Sequence, residues 1–108
     1  VSIRELEPSA LKRMIDEGEA PLLLDVREGW ELEQARLPGV THIPMAQIPG
    51  RVDELRTGAP LVVICHHGGR SLTVAEFLVD HAGFTDVHNL TGGMDAWSRE
   101  VDPRVPRY

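Results

Sequence analysis

The sequence predicts an α/β fold with a mostly parallel sheet and helices on both faces. Two short runs, residues 22–24 (LLL) and 61–64 (LVVI), are continuously apolar rather than alternating, as strands buried on both sides of a parallel sheet are. Each follows a proline, Pro21 or Pro60. Segments of helical and extended character alternate along the rest of the chain, the pattern of a layered α/β domain.

The elements follow in order. A short strand is expected near Ile3. Residues 8–17 open with Pro8 at a first-turn position, carry Leu11, Met14 and Ile15 at helical spacing and close at Gly18, so they predict a helix. The apolar run at 22–24 forms the next strand, and residues 41–43 another. A weaker helical pattern covers residues 48–55. After the strand at 61–64, residues 70–82 place Val74, Ala75, Leu78 and Ala82 on one stripe, widened by Leu72, Phe77 and Val79, with Gly83 as the stop. A strand at 86–89 and a short helix at 94–99 complete the pattern. Residues 1–100 therefore read as one domain. Residues 101–108 contain Pro103 and Pro106, which exclude a regular helix; they are expected to form an extended strap or disordered end, apart from the function.

At 108 residues the chain has the size of one domain able to bury its own core. Its 42% hydrophobic and 26% charged content is ordinary for a water-soluble protein, and no run approaches the ~20 apolar residues of a membrane span. The net charge of -6 offers no basic footprint for nucleic acid or acidic lipid. No secretory signal is visible, which makes the cytoplasm the expected compartment, although the chain begins at Val1 without an initiator Met. A single cysteine, Cys65, cannot form an intramolecular disulfide. It is either a buried inert thiol or a reactive one.

Its surroundings, residues 64–71 (ICHHGGRS), favour the second reading. Ligands of open α/β sheets bind at the carboxyl ends of the strands, and Cys65 is the first residue past such an end. His66, His67, Gly68 and Gly69 can curl, because glycine tolerates positive φ, and a curl turns successive amides inward as an anion-binding nest. The helix beginning near Arg70 adds its N-terminal partial positive charge, and Arg70 adds a full one. All three favour thiolate over thiol. The competing reading makes Cys65 one more small hydrophobe.

Four segments then resemble, in order, the signatures of the single-domain rhodaneses, sulfurtransferases of the rhodanese homology family. Residues 22–28 (LLLDVRE) are similar to its early strand and DVR element. Residues 37–40 (LPGV) with 42–44 (HIP) resemble its second signature, Cys65 to Ser71 its active-site loop, and residues 90–97 (LTGGMDAW) its closing GGxxAW element. The resemblance covers nearly the whole chain except the tail and implies a five-stranded parallel sheet flanked by helices.

It also implies a chemistry. The Cys65 thiolate takes the outer sulfur of a donor such as thiosulfate, becomes a persulfide, and passes that sulfur to a second nucleophile: cyanide, glutathione, thioredoxin or another protein thiol. The substrate-binding set would be His66, His67, Gly68, Gly69, Arg70 and Ser71, with no metal or organic cofactor. His66 stands where relatives often carry a basic residue, so His66 and His67 either make donor binding pH-dependent or are solvent-facing loop residues. Metal binding by Cys65, His66, His67 and His42 is disfavoured, since adjacent side chains diverge and the spacing matches no familiar zinc pattern. Asp25 and Arg27 either face the crevice or, the favoured reading, form a buried pair. Trp30 is a candidate for the pocket mouth and Trp97 for a core anchor. Ser71 either bonds Cys65 or, the favoured reading, caps the helix.

Two rivals remain. Cysteine phosphatases also combine a cysteine, a nest and an arginine, but their loop is one residue longer than the four residues from His66 to Gly69; arsenate reduction ranks with phosphatase activity. A rhodanese-like domain can also be a non-catalytic docking module, against which the retained Cys65 argues.

Overall fold

In the computed structural model, which describes residues 3–56 and 58–108, the two apolar runs become neighbouring strands of one sheet. The chain order is β1 (Ile3–Leu6), α1 (Pro8–Asp16), β2 (Leu22–Asp25), α2 (Gly29–Gln34), β3 (Thr41–His42), α3 (Ile48–Arg51), β4 (Leu61–Ile64), α4 (Gly69–Ala82), β5 (Val87–Leu90) and α5 (Gly93–Glu100). Across the sheet the strands lie in the order β1-β5-β4-β2-β3, and every adjacent pair is parallel. The fold expected from the sequence is therefore the fold observed.

The central strand explains why its residues are continuously apolar. Successive side chains of a strand point to opposite faces, so Leu61 and Val63 enter one core cluster, with Leu24, Val74 and Leu78, while Val62 and Ile64 enter the other, with Leu11, Leu23, Met94 and Trp97. All four β4 residues are buried. Each such side chain contributes on the order of 1.5–3 kcal/mol of transfer free energy. A polar residue on either face would have no solvated side to occupy.

Two local details differ from the sequence reading. α2 is not anticipated, because its six residues, GWELEQ, are too few to show a period; a capping box between Glu28 and Glu31 starts it instead. The expected helix at 48–55 is one α-helical turn, α3, followed by a 3-10 turn at Val52–Leu55. Gly50 weakens helix propagation there, and Arg51 leaves the helical region at φ -131°.

Residues 101–108 form a strap. Val101, Val105 and Tyr108 pack against the core cluster that holds Trp97. Among the described residues, no helix is long and apolar enough to cross a membrane.

Candidate active site

After β2 the chain moves outward to β3, and after β4 it moves the opposite way to β5, so the sheet has its switch point between the carboxyl ends of β2 and β4. That is where open α/β sheets bind ligands. Asp25 and Ile64 are register partners at this edge. The segment after β2 supplies Arg27 and Glu31, and the segment after β4 supplies Cys65 to Ser71.

The cysteine loop is held from outside. The first amides of α5 reach back to it: Met94 N–H donates to the Cys65 carbonyl at 2.8 Å and Asp95 N–H to the His66 carbonyl at 3.0 Å. In a trans peptide the C=O and the next N–H are antiparallel, so the amides of His66 and His67 are turned away from α5. The docking is tight enough to require glycine. A Cβ on Gly93 would lie 2.4 Å from the Cys65 carbonyl oxygen and 2.5 Å from that of His66, and its φ is +61°. This is the physical content of the GG in the closing motif. Gly68, at φ +104°, supplies the expected curl.

Inside the curl, Gly68 N–H donates to Cys65 Sγ at 3.0 Å. Ser71 Oγ lies 3.3 Å from Sγ and 3.2 Å from the Gly68 carbonyl, and it donates to Asn89 Oδ1. Asn89 Nδ2 in turn donates to the Gly68 carbonyl at 3.2 Å. Ser71 Oγ thus sits against the sulfur with its proton on Asn89 rather than capping α4, whose N-terminus has Gly68 at the cap and no side-chain cap. Cys65 itself is 1% exposed. An inward amide and near-closure to solvent coexist at this sulfur.

Arg70 does not stand alone over the loop. Its Nη1 and Nη2 donate to Glu31 Oε2 and Oε1 at 2.8 and 2.7 Å, a bidentate pair across the switch point. Glu31 is 3% exposed, and hydrogen bonding from Arg70 holds its carboxyl at about 2, well below the ordinary value. Glu31 also bonds the Glu28 amide and Tyr108 Oη. Tyr108 joins a second ion pair, Asp25 with Arg27, in which Nη2 and Oδ2 are 2.7 Å apart and both side chains are wholly buried. Arg27 further bonds the Ala35 carbonyl at 2.7 Å, at the end of α2. The favoured reading of Asp25 and Arg27 as a buried pair fits this geometry. The exclusion of the tail from the site does not: Tyr108 also lies with its ring centroid 4.2 Å from that of His66.

The two histidines do not diverge, as adjacent loop residues were expected to. Their ring centroids are 3.9 Å apart, and one ligand atom each from His66, His67 and Asp95 fall within 4.8 Å of one another. Asp95 is engaged by Arg99 and Arg107, at 3.0 and 2.9 Å, so a cation there would compete with two guanidinium groups. Burial, and then the charge of His67, push His66 below the usual histidine value, and among the described residues its buried Nδ1 finds no hydrogen-bond partner. Trp30, 60% exposed, stands edge-on to Tyr108 at 6.1 Å, and Trp97 is buried in the core.

Four residues of this assembly escape the sequence reading: Glu31, Asn89, Gly93 as a contact residue, and Tyr108. Asn89 carries a weak signal, as a polar residue among the last positions of a buried strand. Surface hollows elsewhere, such as the apolar groove lined by Leu23, Leu37, Trp97 and Val105, hold no thiol, so chemistry rather than cavity size locates the site.

These features define a class: a single parallel α/β domain whose only cysteine opens a glycine-bearing loop at the end of the central strand. The chain belongs to the rhodanese-like domain family, whose model matches residues 7–100. It is 38% identical over 104 residues to the putative sulfurtransferase YtwF of Bacillus subtilis (strain 168), covering 96% of this chain and 99% of that one. It is 31% identical over 94 residues to the thiosulfate sulfurtransferase GlpE of Pseudomonas syringae pv. syringae, covering 87% and 86%. Among solved structures, a rhodanese-related protein from Thermoplasma volcanium superposes with a TM-score of 0.82 at 28% identity, over 97% of this chain and 99% of that one.

Proposed function

We propose that this protein is a sulfurtransferase that moves a sulfane sulfur from a small anionic donor, thiosulfate or a related persulfide, to a thiophilic acceptor through a persulfide on Cys65. The observation that carries the reading is the Gly68 amide aimed at Sγ from 3.0 Å, in a loop whose carbonyls are pinned away from it by α5. The names of relatives such as YtwF and GlpE support it.

In the first step the thiolate lone pair forms a bond to the outer sulfur of thiosulfate. The sulfur–sulfur bond of the donor breaks, and its electron pair leaves with sulfite. In the second step cyanide or a thiolate attacks the terminal sulfur of the persulfide, and the bonding pair returns to Sγ, regenerating the thiolate. No net oxidant is consumed. The Gly68 amide stabilises negative charge on Sγ before and after transfer, and Arg70, held by two of its five N–H groups to Glu31 and 38% exposed, offers the donor its remaining N–H groups. Such divided transfer gives ping-pong kinetics.

Donor entry requires the side chains over the loop to give way, because the thiol is 1% exposed. The same burial favours a second reading, a docking module with an idle cysteine. Intact-protein mass spectrometry after incubation with thiosulfate separates them. The sulfurtransferase reading expects the mass of one sulfur atom to appear, to be released by cyanide or reductant, and to be absent from Cys65→Ser. No added sulfur from thiosulfate or a low-molecular-weight persulfide would leave the docking module.

A further inference from the structure

We infer that Tyr108, on the strap of residues 101–108, is a positioning residue for anion binding at the cysteine loop; this rests on the sulfurtransferase reading above. The strap is pinned along its course. Asp102 N–H donates to the Trp97 carbonyl at 3.0 Å, Val105 N–H to the Asp102 carbonyl at 3.0 Å, and Arg107 pairs with Asp95 at 2.9 Å. Those anchors deliver one hydroxyl to the gap between two ion pairs. Tyr108 Oη accepts from Arg27 Nη1 at 2.7 Å and donates to Glu31 Oε1 at 3.1 Å. One phenol has the single proton and the lone pairs that this arrangement needs. Asp25, Arg27, Tyr108, Glu31 and Arg70 thereby form one continuous chain of charge-assisted hydrogen bonds from the end of β2 to the first turn of α4.

The position of Arg70 depends on that chain. Its guanidinium is held by both oxygens of Glu31, and the Glu31 carboxylate is fixed in turn by the Glu28 amide on Oε2 and by Tyr108 on Oε1. Without the phenol, Oε1 loses its second partner and the carboxylate is free to pivot, carrying the cation with it. The tyrosine ring has a separate task. It lies 4.2 Å from the His66 ring, the residue next to the nucleophile, and 6.1 Å from Trp30, so it walls one side of the loop. A residue serving only to anchor the strap would need the ring and not the hydroxyl.

The test uses the full chain with Tyr108→Phe and Tyr108→Leu, each confirmed folded by thermal unfolding. Thiosulfate is titrated against the backbone amides of Gly68, Gly69 and Arg70 by NMR in a Cys65→Ser background, where no persulfide forms. Tyr108→Phe is expected to weaken thiosulfate binding about three- to tenfold, the net worth of one ordinary hydrogen bond, since Arg70 keeps both of its own bonds to Glu31. With Cys65 present it is expected to raise KM for thiosulfate by the same factor while kcat stays within about twofold. Tyr108→Leu is expected, in addition, to shift the His66 ring-proton resonances. Unchanged thiosulfate affinity in Tyr108→Phe overturns the inference, as does a fall in kcat with KM unchanged, or no saturable thiosulfate binding with Tyr108 intact. If Cys65 acquires no sulfur in the wild-type chain while Tyr108→Phe still weakens thiosulfate binding, the transfer reading fails and the positioning role stands.

Discussion

Arg70 and Glu31, thirty-nine positions apart, meet as a bidentate pair at 2.7 and 2.8 Å across the switch point of the sheet. The pair ties α4, which begins at the cysteine loop, to α2, which follows the neighbouring strand. Glu31→Gln keeps the shape and removes the charge. It is expected to cost about 1–3 kcal/mol in urea unfolding, the range for hydrogen bonds to charged groups, reduced from the buried-pair range because the Arg70 side chain is 38% exposed. Thiosulfate turnover should fall about tenfold in kcat/KM as the fork loses its anchor. Equal stability and equal kcat/KM would show that the pair is ornamental.

The same carboxyl sets a pH dependence. Hydrogen bonding from Arg70 holds Glu31 at about 2 against 4.5 for the free group. Because the folded value is the lower one, the unfolded chain binds this proton more readily. The stability contributed by Glu31 is complete above pH 4.5 and drains as the pH falls toward 2. Denaturation of wild type and Glu31→Gln at a series of pH values is expected to show a gap that is constant near neutrality and closes through that acid window. A gap that persists at the acid end would mean the carboxylate charge is not its source.

The fold is legible in the amino-acid sequence because its signals are local. The run LVVI at 61–64 is apolar at every position because both of its faces are covered, and that is visible without coordinates. The cysteine loop was legible for the same reason: sulfur, glycines and arginine are contiguous. Glu31 and Tyr108 were not, because their roles arise from contacts 39 and 77 positions away. Nothing in the spacing of a lone tyrosine beyond two prolines marks it as a bridge between two ion pairs. The neighbouring histidines do not part as their adjacency predicts, because packing, not chain direction, sets the 3.9 Å ring separation.

Asp25 offers a sharper stability test than Glu31. Both members of its pair with Arg27 are wholly buried, and Arg27 also ties down the Ala35 carbonyl and Tyr108. Burial opposes the charge on Arg27, yet the hydrogen bonds it donates to Asp25 and Tyr108 outweigh it and hold the group above the ordinary guanidinium value. Asp25→Ala leaves that cation without its counter-ion. A loss of about 3–5 kcal/mol is expected by chemical denaturation, enough to unfold a marginal domain. A loss below about 1 kcal/mol would show that water reaches Arg27 when the carboxylate is gone.

His66 should titrate below a free histidine. Burial is the larger cause and His67 the next, so the imidazole is neutral in the folded protein near pH 7 and adds no fixed charge for the donor there. The sign follows from the lowered folded value: the unfolded chain protonates first, and stability from this group is full above 6.5 and falls as the pH drops below it. NMR titration of the ring protons is expected to place the midpoint below 6.5. His67→Ala should raise it only part of the way, since burial remains. A midpoint at or above the free value would restore His66 as a cationic donor contact.

Gly93 tests whether α5 shapes the cysteine loop or merely packs beside it. A methyl group there would lie 2.4 Å from the Cys65 carbonyl oxygen and 2.6 Å from the His66 carbonyl carbon, and the backbone sits at φ +61°. No rotamer relieves a Cβ clash with backbone, so Gly93→Ala must move the loop or the helix. Either movement breaks the Met94 and Asp95 hydrogen bonds that turn the carbonyls of Cys65 and His66 outward. The Gly68 amide then loses its aim at Sγ, and the sulfur loses the environment that the transfer needs. Gly93→Ala is expected to fold with a stability loss on the order of 1–3 kcal/mol and to form the Cys65 persulfide from thiosulfate more than about tenfold more slowly, one decade for each ~1.4 kcal/mol of lost stabilisation. Gly29→Ala, where a Cβ meets nothing within 4 Å and φ is unstrained, is the matched control. Persulfide formation at the wild-type rate in Gly93→Ala would mean that the outward pinning of the carbonyls has no part in the chemistry.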